Sequence, residues 1–149
     1  MSVRMTARRR LSSAVPPYVE EPGWTAVSGM ITAGAVMACA DGRPDRTERL
    51  SLLAFLRRRG ILLRFNRRRV LVAFDTKVAW LHARSVAELC SATDSLRLLT
   101  SSSTAPLVAA AASHVAIADG EASPQEIVVL RVIRTQLGLT GPNETSTTE

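Results

Sequence analysis

Apolar residues recur at helical spacing in six segments of the chain, separated by stretches rich in glycine, proline, serine and threonine. The first segment, residues 27–40, and the fifth, residues 106–118, are apolar nearly all round, which is typical of helices at the centre of a domain. The other four each have one apolar face, and they cover residues 46 to about 58, 67–82, 85–99 and 124–137. The pattern therefore predicts an all-α domain, a helical bundle of about six to seven helices.

The first two and the last two predicted helices are joined by similar corners. The sequence ACADGRPDRTE at residues 38–48 has a counterpart, AIADGEASPQE, at residues 116–126. Each corner runs from an apolar segment through Ala-Asp-Gly to a glutamate seven positions after the aspartate. A repeated αα-hairpin exposes an apolar face that it cannot bury alone, so we expect the two hairpins to pack together about a pseudo-twofold axis.

Helix capping is the first interpretation of the two corners. Asp45 and Ser123 are good N-cap residues, and a glutamate follows each of them three positions later. Three capping boxes are predicted in this way, at Asp45/Glu48, Ser85/Glu88 and Ser123/Glu126. Gly42 and Gly120 suit the ends of the preceding helices. Capping does not demand Asp41, Asp119 or Glu121.

A shared cation site is the second interpretation of the corners. If the hairpins pack face to face, both corners lie at one end of the bundle and their carboxylates face each other. The candidate ligands are Asp41, Asp45, Glu48, Asp119, Glu121 and Glu126. Carboxylate oxygens are hard ligands that suit Ca²⁺ or Mg²⁺ rather than zinc or copper. The spacing differs from an EF-hand loop, because glycine directly follows the first aspartate. Spacing alone leaves both interpretations open.

The positive charge is unevenly distributed. The formal net charge is +6, and the first 13 residues contain four arginines and no acidic residue. We predict a disordered basic arm and proline-rich connector at residues 1–23, a helical domain at residues 24–139 and a disordered tail at residues 140–149. A second group of seven arginines lies within residues 57–69.

The arginines of residues 57–69 have two interpretations. They form a solvated surface that complements the C-terminal dipole of the second helix, or they bind phosphate, acidic lipid headgroups or an acidic protein. The candidates for anion or partner binding are Arg64, Arg67 and Arg68. Nucleic acid is not favoured, because only Phe65 interleaves the arginines and no recognition motif is present.

Several other classes of protein are disfavoured. Two uncharged stretches, residues 22–40 and 98–118, approach membrane-spanning length, but their alanine, serine, threonine and glycine content predicts buried helices and no transmembrane span. Cys39 and Cys90 without a disulfide framework indicate a reduced cytosolic setting. No nucleophile–base arrangement or phosphate-binding loop stands out, so we predict that the protein is not an enzyme. A hydrolase using a carboxylate-bound Mg²⁺ is the weakest of the functional hypotheses.

Three stretches together resemble the TerB family of tellurite-resistance proteins. They are AVMACADGRPDRTERLSLLAFLRR, FNRRRVLVAFDTKVAWL and VAAAASHVAIADGEASPQEIVVLRVIRTQLGL, within residues 29–139. The resemblance implies a helical domain of two related halves with a divalent-cation site at the acidic corners. It also implies a role in tellurite resistance and stress responses, in the cytoplasm or peripheral to the bacterial inner membrane, with protein partners there.

The chain departs from the family pattern at both corners. Arg43, Ser123 and Gln125 stand where the family usually has acids, and Arg46 makes the first corner less acidic still. Arg43 and Arg46 are placed to pair with the remaining carboxylates in place of a cation. The resemblance thus implies weaker cation affinity than in an acidic relative. The alternative is a metal-free interaction domain whose arginine surface or basic arm binds an acidic partner or membrane surface.

Overall fold

The computed structural model describes residues 23–42, 44–118 and 120–139. Within these ranges the chain forms six α-helices and no strand, which confirms the all-α fold. The α-helices are α1 (Trp24–Cys39), α2 (Arg46–Arg58), α3 (Arg67–Leu81), α4 (Val86–Ala92), α5 (Ala105–Ala116) and α6 (Pro124–Gln136). Two 3₁₀ turns, Ile61–Leu63 and Thr93–Leu99, follow α2 and α4. The pseudo-twofold relation stays a prediction, and the predicted arm (apart from Gly23) and tail lie outside the described residues.

Helix α1 is the centre of the bundle, buried along most of its length and packed mainly against α5 and α3. Its small residues let neighbouring helices approach closely. The methyl groups of Leu52 on α2 lie 3.2 and 3.3 Å from the point where a Cβ on Gly34 would be, and Val115 on α5 lies 3.5 Å away. Apolar as it is, α1 does not meet the length and hydropathy needed to cross a membrane, and nor does any other helix in the described ranges.

The three predicted capping boxes are confirmed. At the start of α2, the Glu48 N–H donates to Asp45 Oδ1 at 3.0 Å and the Asp45 N–H donates to Glu48 Oε1 at 3.2 Å. The start of α6 repeats this arrangement with Ser123 and Glu126. Helix α4 begins with the third box. These boxes satisfy backbone N–H groups that a helix start leaves without partners, and they therefore fix where the helices begin.

Two boundaries differ from the sequence expectation by more than two residues. Helix α1 begins at Trp24, three residues before the predicted start, where the Trp24 ring packs 5.6 Å from the Phe65 ring and the Arg69 guanidinium lies over it at 3.8 Å. The predicted single helix at residues 85–99 is α4 followed by the 3₁₀ turn Thr93–Leu99. There the buried Thr93 hydroxyl donates to the Cys90 carbonyl at 2.6 Å, and such side-chain bonds compete with regular helix geometry.

Candidate cation site at the two corners

The two corners lie at the starts of α2 and α6, and a carboxylate of one acts electrostatically on a carboxylate of the other. In the first corner the chain leaves α1, turns at Gly42 (φ 92°) and enters α2 through Asp45. In the second it turns at Gly120 (φ 123°) and enters α6 through Ser123. The Glu126 carboxylate of the second corner is one of the charges that raise the pKa of Glu48 in the first. The carboxylates of Glu48 and Glu126 therefore lie close enough to influence each other.

Glu48 of the first corner has a strongly perturbed carboxyl group. Its side chain is 3% exposed, and its pKa is raised from 4.5 to about 8. Burial is the largest cause of this rise in pKa. The hydrogen bond from the Asp45 N–H lowers the pKa. The negative charges of three nearby carboxylates, those of Asp41, Asp45 and Glu126, raise it further. At neutral pH, without a bound cation, the group is therefore mostly protonated.

The two oxygens of Glu48 have different surroundings. Oε1 completes the capping box by accepting the Asp45 N–H. Oε2 is buried and has no hydrogen-bond partner among the described residues. A buried polar atom without a partner costs about 1–3 kcal/mol, so such atoms are rare and point to a proton, water or ion that completes them. Capping therefore accounts for only one of the two Glu48 oxygens.

The second corner has a buried carboxylate at the equivalent position. Glu126 is 3% exposed, and its Oε1 accepts the Ser123 N–H at 2.8 Å. The other candidate ligands in the described residues are exposed: Asp41, Asp45 and Glu121. Asp119 lies outside those residues, as does Arg43, and Arg46 is exposed. The structure thus divides the candidate set into two buried carboxylates, three exposed ones and one that is not described.

The donor chemistry of the corners fits a hydrated hard cation. In the described ranges, no group of three or more His, Cys, Asp or Glu side chains is arranged to hold a metal ion. Ca²⁺ takes about six to eight oxygen ligands and Mg²⁺ keeps several waters, so neither needs an all-carboxylate cage. Glu48 and Glu126 supply buried carboxylate oxygens, and the Oε2 atom of Glu48 lacks the counter-charge that such an ion provides.

Cys39 lies next to this corner without contributing a thiolate. Burial, then the charges of Glu48 and Asp41, raise the pKa of its thiol from 9.0 to about 11. Its Sγ–H donates weakly to the Val78 carbonyl at 3.9 Å. The thiol therefore stays protonated at neutral pH.

Two of the three candidate anion-binding arginines, Arg67 and Arg68, line different grooves. Arg67 lines a groove between α2 and α3, whereas Arg68 lines a second groove beside Trp24 and Arg69. Arg64 lies with its guanidinium carbon 5.7 Å from the centre of the Phe65 ring. Anion or partner binding by Arg64, Arg67 and Arg68 therefore stays a prediction.

Comparison with known proteins places most of the chain in a family model. Residues 28–144 match the family model described as tellurite resistance protein TerB. This range contains both corners and the arginine cluster. No curated protein and no solved structure matches the chain.

Proposed function

Because the chain belongs to the TerB family of tellurite resistance proteins, we propose that it is a cation-binding module whose two corners hold one Ca²⁺ or Mg²⁺ between them. The single observation that carries this proposal is the buried Oε2 atom of Glu48. Burial together with neighbouring negative charge makes an ionised Glu48 unfavourable in the protein alone. A divalent cation removes that penalty by supplying the missing positive charge.

Each group at the corners has a distinct role in this proposal. Glu48 and Glu126 bind the cation through buried carboxylate oxygens. The exposed acids contribute negative potential that attracts the ion, and Asp119 is the remaining candidate ligand. Because a ligating carboxylate must be ionised, cation binding releases the proton that Glu48 holds at neutral pH. Affinity therefore increases as the pH rises toward 8.

The role that fits this chemistry is binding rather than turnover. The corners supply charge and hard oxygen ligands, and the family description names tellurite resistance rather than a reaction. We place the module in the bacterial cytoplasm or at the inner face of the membrane, where it docks on protein partners during stress. A cation at the corners then changes their net charge, and thereby the surface that the module presents to those partners.

Glu126→Gln tests the shared site through the corner opposite Glu48. Glutamine keeps the size of the side chain and an oxygen for the capping bond, but it removes the charge. In calorimetric titrations at pH 8, we expect the unaltered protein to bind Ca²⁺ or Mg²⁺ with a Kd of about 1 mM or below. The variant is expected to bind at least about tenfold more weakly, because a buried anionic ligand is lost.

Glu88→Gln is the matched control for this titration. Glu88 holds the same position in the capping box of α4. Its side chain is exposed, however, and forms an ion pair with Arg84 outside the two corners. Cation affinity should be unchanged in this variant. The proposal fails if the unaltered protein binds neither ion at several millimolar, or if Glu126→Gln and Glu88→Gln behave alike.

A further inference from the structure

An open groove of about 960 Å³ lies between the second half of α2, the Ile61–Leu63 turn and the start of α3. Leucines supply much of its apolar lining, including Leu50, Leu53 and Leu63. Leu63 is 91% exposed and Leu50 is 45% exposed, which is unusual for leucines that line one groove. We call this feature the α2–α3 groove; an apolar surface of this kind marks a contact surface.

Three exposed arginines, Arg57, Arg58 and Arg67, also line the α2–α3 groove. The 13 residues from 57 to 69 contain seven arginines and no acidic residue. The helix dipole accounts for Arg57 and Arg58, which lie in the last turn of α2. It does not account for Arg67 in the first turn of α3, where a positive charge opposes the dipole.

From this combination we propose that the α2–α3 groove binds an amphipathic helix of a partner protein, with apolar side chains on one face and carboxylates flanking them. The apolar face covers the leucines, and the carboxylates pair with the arginines, whose guanidinium groups form two parallel hydrogen bonds to a carboxylate. The surface is concave, and a helix inserts its side chains into such a groove. A flat bilayer leaves its floor uncovered.

This inference goes beyond the proposed cation site and does not depend on it. Glu48 does not line the groove, and Arg57 at the groove lies nine residues, or about 13.5 Å, farther along the α2 axis. The test is therefore made in the presence of a chelator. Loss of cation binding then leaves its outcome unaffected.

The test uses a fluorescein-labelled peptide of about 16 residues, with leucines on one helical face and glutamates flanking that face on both sides. Fluorescence anisotropy measures its binding to the full chain, beside a matched peptide in which lysine replaces every glutamate. Vesicles containing phosphatidylglycerol are the third probe. We expect the acidic peptide to bind at least about tenfold more tightly than the basic peptide, and the vesicles to remain unbound.

Two variants locate the binding surface. Leu63→Ser removes the exposed apolar contact, and Arg67→Glu reverses a charge at a helix start where an acid favours the helix, so both are expected to fold. Each variant should bind the acidic peptide about tenfold or more weakly than the unaltered protein does. Arg131→Glu makes the same charge change on α6, outside the groove, and should retain binding.

Three results would overturn the proposal. The first is absence of acidic-peptide binding to the unaltered protein. The second is vesicle binding that Leu63→Ser and Arg67→Glu abolish, which would assign the groove to a membrane surface. The third is an equal loss in Arg131→Glu and Arg67→Glu, which would show attraction by net charge alone.

Discussion

Replacing Glu48 by glutamine is expected to stabilise the metal-free protein above about pH 8, by on the order of a few kcal/mol. The folded pKa of Glu48 is raised to about 8 from an ordinary value of 4.5. Between these two pH values the folded protein keeps the proton while the unfolded chain loses it. The stability of the unaltered protein therefore falls as the pH rises through this window and levels off above it.

Glutamine has no proton to lose, so the variant should not show this fall. Urea unfolding followed by tryptophan fluorescence, with a chelator present, measures the free energy of unfolding at pH 5 and pH 8.5. The advantage of Glu48→Gln should be small at the lower pH and largest at the higher one. Parallel stability profiles for the two proteins would show that Glu48 does not carry a raised pKa.

Replacing Leu52 by alanine is expected to cost about 2–5 kcal/mol of stability. The Leu52 side chain is 1% exposed, and its methyl groups fill the space over Gly34 where α1 and α2 approach each other. Truncation leaves a cavity between these helices and Val115 of α5, because the backbones cannot close over it fully. Urea unfolding at pH 7 measures the loss.

The matched control is Leu63→Ala, the same truncation at a side chain that is 91% exposed. Its effect on the free energy of unfolding should stay within about 0.5 kcal/mol. If Leu52→Ala were equally mild, α2 would not be held to α1 by this contact. The position of Glu48, four residues earlier on the same helix, would then need another explanation.

The helical pattern of the sequence predicts most of the fold because the helix starts are determined locally. Capping boxes involve residues three positions apart, so the starts of α2, α4 and α6 are visible in the sequence. The start of α1 is not, because Trp24 is held by Phe65 and Arg69 from distant parts of the chain. The Thr93–Leu99 turn is missed because its apolar spacing also suits an α-helix.

The candidate site shows a different limit of sequence reasoning. The spacing identifies the acidic residues but leaves capping and cation binding open for Glu48 and Glu126, and it does not show that capping satisfies only one oxygen of Glu48. A signal for their burial does exist. Glu48 shares a helix face with Leu52 and Phe55, and Glu126 shares one with Val129 and Ile133. A capping glutamate on the apolar face of its helix is thus a candidate buried ligand.

The arginine cluster shows the same limit at the other end of α2. Its charge is evident from the sequence, but its division into two grooves is not, because Arg67 and Arg68 are adjacent and point along different sides of α3. The exposure of Leu63 is likewise not evident from the sequence, because Leu63 belongs to an apolar stretch, Ile-Leu-Leu, whose first residue is buried. Exposure of one residue within such a run depends on the tight 3₁₀ turn.

The most direct test of the central claim is an NMR titration of the Glu48 side-chain carboxyl carbon, with and without saturating Ca²⁺ or Mg²⁺. Without the ion we expect a pKa of about 8, and with it a pKa well below that value, because the cation favours the ionised group. Glu88, outside the corners, should titrate identically in both conditions. A Glu48 pKa that neither ion moves would contradict a cation site shared by the two corners.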